Sequence, residues 1–201
     1  MLLRMESCID KIIGRKPLTN PSNHPIRRSV RLKEFDYSQP GAYFITIVTI
    51  NRESLFGTIK GDQVNLSDLG RIVESEWQRL EKRFRTIQLG VWVVMPNHFH
   101  GIIIISETEN SWRKVENGVN SSAVEHFGSP VSGSIATIVR SFKSSVTQRY
   151  QWAAQSSTTK VWQRGFYDHV IRSEEDYGNV HDYIVNNPIK WSEDENFINH
   201  Q

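Results

Sequence analysis

The sequence predicts an α+β fold of the split βαβ kind, an antiparallel sheet with helices packed on one face and an extra C-terminal helix. Three observations predict it. Runs dense in β-branched and aromatic residues occur at 43–50, 91–94 and 102–105. Apolar residues recur at helical spacing after Ser67 and again after Gly133. The order is then strand, helix, strand, strand, helix, strand and a further helix, and its first six elements match a ferredoxin-like plan.

Residues 1–36 contain Pro17, Pro21 and Pro25 among scattered Arg and Asn, which predicts a basic, flexible arm. The first strand is read over Tyr43–Ile50. A hairpin around Lys60-Gly61-Asp62 joins Leu55–Ile59 to Gln63–Leu66. Ser67 is an N-cap residue by type, and Leu69, Ile72, Val73, Trp77, Leu80 and Phe84 then form one apolar face of a helix. Strands follow at 88–95 and 98–105, with Pro96-Asn97 at the turn. Residues 107–132 are rich in Ser, Asn, Gly and Glu without periodicity, and read as a mobile polar insertion.

Gly133–Tyr150 is a second helix with Ile135, Ile138, Val139, Phe142 and Val146 on one face. A short strand is expected over Phe166–Ile171. Ser173-Glu174-Glu175-Asp176 has the form of a capping box opening a third helix, and Pro188 ends it. The domain is thus placed at 37–191, with 192–201 a tail.

The 201 residues suffice for one domain with a real core. The formal charge of +2 is unevenly spread: residues 1–40 hold eight basic and four acidic side chains, against sixteen and eighteen in the remainder. A basic arm suits phosphate backbones, or is simply a solvated tail. Cys8 is the only cysteine, which excludes an intramolecular disulfide and fits a reducing, cytoplasmic setting. No continuous apolar stretch of secretory or membrane-spanning length is present.

The stretch Met95-Pro96-Asn97-His98-Phe99-His100-Gly101 sits between two apolar strands. Side chains alternate across a strand, so His98 and His100 share one face while Phe99 faces the helices. Two adjacent imidazoles make half of a metal site, and a third ligand must come from elsewhere. Two partly exposed histidines with ordinary hydrogen bonds is the other reading.

The last helix contributes a second element. Tyr177, Val180 and Ile184 form its apolar stripe, whereas Tyr183 and Asn187 project together from another face, one turn apart. A phenol is a weak nucleophile at neutral pH. It attacks a phosphodiester when a metal polarises the phosphate oxygens, and a phosphotyrosine link keeps the bond energy for rejoining.

Four clusters together resemble the REP-associated tyrosine transposases, within the HUH single-strand DNA endonucleases. They are Arg27-Arg28-Ser29-Val30-Arg31-Leu32 with Asp36-Tyr37 and Gly41-Ala42-Tyr43-Phe44; Val94 through Gly101; Val161-Trp162-Gln163-Arg164 with Asp168-His169-Val170-Ile171-Arg172; and Asp182-Tyr183-Ile184 with Asn187-Pro188-Ile189-Lys190. The resemblance covers 27–191. It implies a protein that binds DNA hairpins and cuts single-stranded DNA beside them. His98 and His100 would be the metal pair, Tyr183 the nucleophile left on the 5′ phosphate, and Asn187 the third ligand. The cofactor implied is Mg²⁺ or Mn²⁺, and the protein would be a monomer or a homodimer.

DNA binders of this kind combine cations with aromatic faces. Arg27, Arg28, Arg31, Lys143 and Arg164 are the candidate phosphate contacts. His169 is an additional candidate, or a satisfied histidine at a strand end. Two other functions fit the same residues: a hairpin-binding protein without chemistry, and a metal-dependent hydrolase in which water attacks.

Overall fold

The computed structural model describes residues 35–107 and 131–191. The elements in chain order are β1 (Gly41–Val48), β2 (Gly57–Lys60), β3 (Gln63–Leu66), α1 (Asp68–Gln78), α2 (Leu80–Arg83), β4 (Ile87–Val94), β5 (His98–Ile105), α3 (Ile135–Ala153), β6 (Tyr167–Ile171) and α4 (Glu174–Asn186). The main sheet has the order β4-β5-β1-β6, and every neighbouring pair is antiparallel. β1 and β4 therefore run parallel with β5 inserted between them, which is the split βαβ arrangement. Among the described residues no helix is long and apolar enough to cross a membrane.

Alternation along the strands sorts the side chains into two layers. Tyr43, Ile45, Ile47, Phe99 and Ile103 face α1 and α3 in the larger core, with Val73, Trp77, Ile138 and Phe142. Trp77 packs on Phe99 with ring centroids 4.5 Å apart, and on Phe142 at 5.2 Å. Gly101 makes that approach possible, because a Cβ there would lie 2.6 Å from Trp77 Cζ2. The other face carries Phe44 and Ile102, and Val180 and Ile184 of α4 cover it.

Ser67, Ser134 and Ser173 each accept a backbone N–H from the first turn of the helix they open. Two elements differ from their expected form. The helix predicted to run on to Phe84 breaks at Arg79, so Leu80 and Phe84 belong to a separate short turn and its end. The first strand stops at Val48, where Thr49 and Ile50 turn into a 3-10 segment held by Asn97 and Val161 carbonyls. The arm 1–34, the insertion core 108–130 and the tail 192–201 lie outside the described residues, although Phe35 packs edge-on against Tyr37 at 5.0 Å.

The helix layer is pinned by one acid. Glu76 of α1 is buried, 3 % exposed, and its carboxylate accepts from Arg79, Arg83 and Arg149, the last on α3. Burial pushes its carboxyl up, but the hydrogen bonds from Arg149 and Arg83 and the charges of Arg83 and Arg79 outweigh this and hold it below its ordinary value. Removing the carboxylate strands two partly buried guanidiniums, so Glu76→Ala is expected to cost about 3 kcal/mol in denaturant unfolding at neutral pH. With the folded value depressed, the stabilisation exists above the unfolded-state value and is lost as pH falls through the folded one. Acidification should therefore weaken the wild type more than Glu76→Gln.

Candidate active site

His98 and His100 open β5 and point to the face covered by α4. They are far from exposed: relative exposures are 0 % and 2 %. Helices packed on one face of the sheet would leave the other face uncovered. Instead α4 roofs it, because Val180 and Ile184 need an apolar surface and Phe44, Ile102 and Val93 supply one. The two imidazole centroids are 4.5 Å apart at 66°.

Each ring is oriented through Nδ1. Asn97 Nδ2 donates to the Arg52 carbonyl at 3.0 Å, so its Oδ1 faces His98 Nδ1 at 2.9 Å. An amide oxygen only accepts, hence Nδ1 of His98 carries the proton and Nε2 carries the lone pair. His100 Nδ1 lies 2.8 Å from Thr46 Oγ1, its cross-strand partner on β1. His100 Nε2 lies 3.3 Å from the Tyr183 hydroxyl. Phe44 stacks on His100 with centroids 5.3 Å apart and meets Tyr183 edge-on at 6.0 Å. These neighbours fix the orientation of both rings.

Asn187 is the C-cap of α4, still in helical conformation, and is 3 % exposed. It follows Tyr183 by one turn on the same helix face. The chain continues through Pro188 into a further turn, so Trp191 lies 5.7 Å from His98, ring to ring. Tyr183, Asn187 and Trp191 thus form one ridge, with its first and last members against the two histidines.

Two imidazoles and an amide oxygen are a donor set that suits a divalent cation of borderline hardness. Among the described residues no three His, Cys, Asp or Glu side chains gather, so an amide or an oxygen from substrate has to complete such a site. The lone pair on His98 Nε2, with Nδ1 fixed by Asn97, is the tautomer a ligand needs.

The other candidates are placed as follows. Lys143 turns inward: its Nζ donates to the carbonyls of Gln163 and Gly165, both at 2.8 Å, and sits 6.0 Å over the Trp162 ring. Burial pushes its ammonium down to about 8. Two of its three N–H directions are therefore used inside the chain, under the turn that presents Arg164. Arg164 is exposed and lines an open groove with Arg140, Trp162 and Phe166, on the side of α3. Arg27, Arg28 and Arg31 lie outside the described residues. Thr46, Phe44 and the ring-orienting role of Asn97 were not visible in the sequence. The pairing of β1 with β5 in this register, which puts Thr46 opposite His100, was the missing information.

No protein-family profile matches the chain. It is 40 % identical over 173 residues to an uncharacterized protein of Haemophilus influenzae, covering 86 % of this chain and 93 % of that protein. It is 23 % identical over 164 residues to the REP-associated tyrosine transposase of Escherichia coli, covering 77 % and 70 %. Among solved structures it is similar to a REP-associated tyrosine transposase bound to a REP hairpin, with a TM-score of 0.52, 21 % identity and coverage of 77 % and 70 %. That likeness extends to the antiparallel sheet and its helices. With the histidine pair and the tyrosine helix in view, the chain is similar to the REP-associated tyrosine transposases.

Proposed function

We propose that the protein is a transposase that recognises DNA hairpins, cleaves a single strand beside them through a 5′-phosphotyrosine link on Tyr183, and rejoins strands. One observation carries the reading: the Tyr183 hydroxyl lies 3.3 Å from Nε2 of His100, one of two buried, adjacent histidines. The relative bound to a REP hairpin supports the substrate class.

The chemistry balances on few groups. The Tyr183 oxygen forms a bond to phosphorus, the bond from phosphorus to the 3′ oxygen breaks, the phenol loses its proton and the 3′ oxygen gains one. Strand rejoining is the reverse. His98, His100 and Asn187 would hold Mg²⁺ or Mn²⁺. The cation, when bound, supplies charge that polarises the non-bridging phosphate oxygens. Phe44 and Thr46 keep His100 turned toward the phenol, and α4 excludes water that would otherwise compete as a nucleophile.

The test mixes the protein, Mn²⁺ and a hairpin oligonucleotide bearing single-stranded flanks. A covalent adduct that survives denaturing electrophoresis is expected. Nicked DNA with a 5′ phosphate and no adduct would assign the attack to water. Hairpin binding that ignores chelator, with no cleavage under any condition, would reduce the protein to a binding module.

The orienting bonds give a smaller prediction. Asn97→Ala and Thr46→Val are each expected to weaken Mn²⁺ binding, measured by calorimetry, by about 10–100-fold. Neither residue is among the proposed ligands, so weakened binding in a variant that keeps the wild-type circular dichroism would assign it the orienting role.

A further inference from the structure

We infer that His169 and Asp176 form a positioning pair that fixes where Tyr183 stands relative to His100. The inference rests on the reading of Tyr183 as nucleophile and deepens it.

His169 lies opposite Phe44 in the β1–β6 register, so it occupies the face that carries the candidate site. Its Nε2 is 3.0 Å from both carboxylate oxygens of Asp176, and the two side chains are only 12 % and 16 % exposed. Since a carboxylate only accepts, Nε2 carries the proton. Asp176 Oδ2 also accepts the Arg172 N–H at 3.1 Å, and the Asp176 N–H donates to Ser173 Oγ at 3.1 Å. One carboxylate thus ties the end of β6 to the first turn of α4. A capping box would send that carboxylate back to the N-cap amide; here it is spent on the strand instead.

The opposite side of the same turn is held by β4. Tyr177 passes over Gly90, where a Cβ would lie 3.3 Å from the Tyr177 hydroxyl and 2.9 Å from Ile102 Cβ. The start of α4 is therefore gripped from both outer strands of the sheet. Asp176, Tyr183 and Asn187 fall at i, i+7 and i+11, on one helix face. At ~1.5 Å rise per residue, the phenol stands about 10 Å along the axis from the pin. A helix transmits a rotation or slip of its first turn to every later residue, and one residue of slip is ~100° of rotation. That would carry the phenol off His100.

The apolar anchors do not fix this setting alone. Val180 and Ile184 hold α4 down on the sheet, but apolar contact is non-directional and tolerates sliding. Gly178 sits in the helix between pin and tyrosine with nothing within 4 Å of its Cβ position. It loosens the segment that has to stay in register. The His169–Asp176 pair supplies the directional contact.

The experiment uses the full chain with His169→Ala, Asp176→Ala and His169→Gln. The glutamine amide is the conservative replacement, because its N–H can still donate to Asp176. Single-turnover adduct formation on a hairpin oligonucleotide with saturating Mn²⁺ is measured beside hairpin Kd and amide hydrogen exchange across 177–187. The alanine variants should slow adduct formation by about 10–100-fold, as a misplacement of about 1 Å does. Hairpin Kd should stay within about twofold, exchange in α4 should rise, and His169→Gln should recover most of the rate. An unchanged rate with unchanged exchange overturns the inference. So does a rate loss matched by lost hairpin affinity and not recovered by glutamine, since that describes general destabilisation. If the wild type itself forms no adduct, the nucleophile reading fails, and the exchange measurement alone decides whether the pair holds α4.

Discussion

Tyr183→Phe should abolish the covalent protein–DNA adduct while leaving the fold and hairpin affinity near wild type. The change removes one oxygen. The ring keeps its edge contact with Phe44 at 6.0 Å and its packing on His100 at 5.1 Å, so little stability should be lost. What disappears is the atom proposed to form the phosphorus bond, and with it any route to a tyrosyl adduct through this position. Loss beyond detection, at least about 10³-fold, is the expectation for removal of a covalent nucleophile. The alternative nucleophile is Tyr177, whose hydroxyl lies over Gly90 of β4. An adduct that persists in Tyr183→Phe and vanishes in Tyr177→Phe would transfer the role.

Replacing both His98 and His100 by alanine should eliminate Mn²⁺ binding and lower cleavage by about 10³-fold or more, since a bound cation contributes several kcal/mol of charge stabilisation. A spectroscopic corollary separates the metal from the chemistry. The phenol of Tyr183 faces His100 Nε2 at 3.3 Å. One lone pair cannot both accept that O–H and coordinate a cation. Adding Mn²⁺ or Mg²⁺ should therefore perturb the ultraviolet absorbance of Tyr183, and the change should be missing in Tyr183→Phe and in His100→Ala. A metal-binding isotherm that leaves the phenol spectrum untouched would place the cation away from His100.

Much of the architecture was legible because its periodicities are strong. The alternation His98, His100, Ile102 against Phe99, Ile103, Ile105 shows in the letters alone, and β5 places them so. The caps Ser67, Ser134 and Ser173 stand where side-chain oxygens can meet first-turn amides. The apolar pattern continuing to Phe84 hid the break at Arg79, because two short helices in line keep one phase. The histidine face looked open because amphipathicity does not say which way an extra helix folds back. Only the pairing of α4 with β4 and the turn after Pro188 bring Tyr183 and Trp191 onto the imidazoles. Lys143 looked like a surface cation, yet two carbonyls of a turn twenty residues later enclose it.

The roof over the histidines has a consequence for timing. His98, 0 % exposed, and His100, 2 % exposed, lie beneath the C-terminal segment that carries Tyr183 and Trp191. On the proposed function, a strand reaches the imidazoles only when α4 shifts off them, and the frequency of that shift then caps turnover. On the same reading, a covered site would also spare stray single strands from nicking.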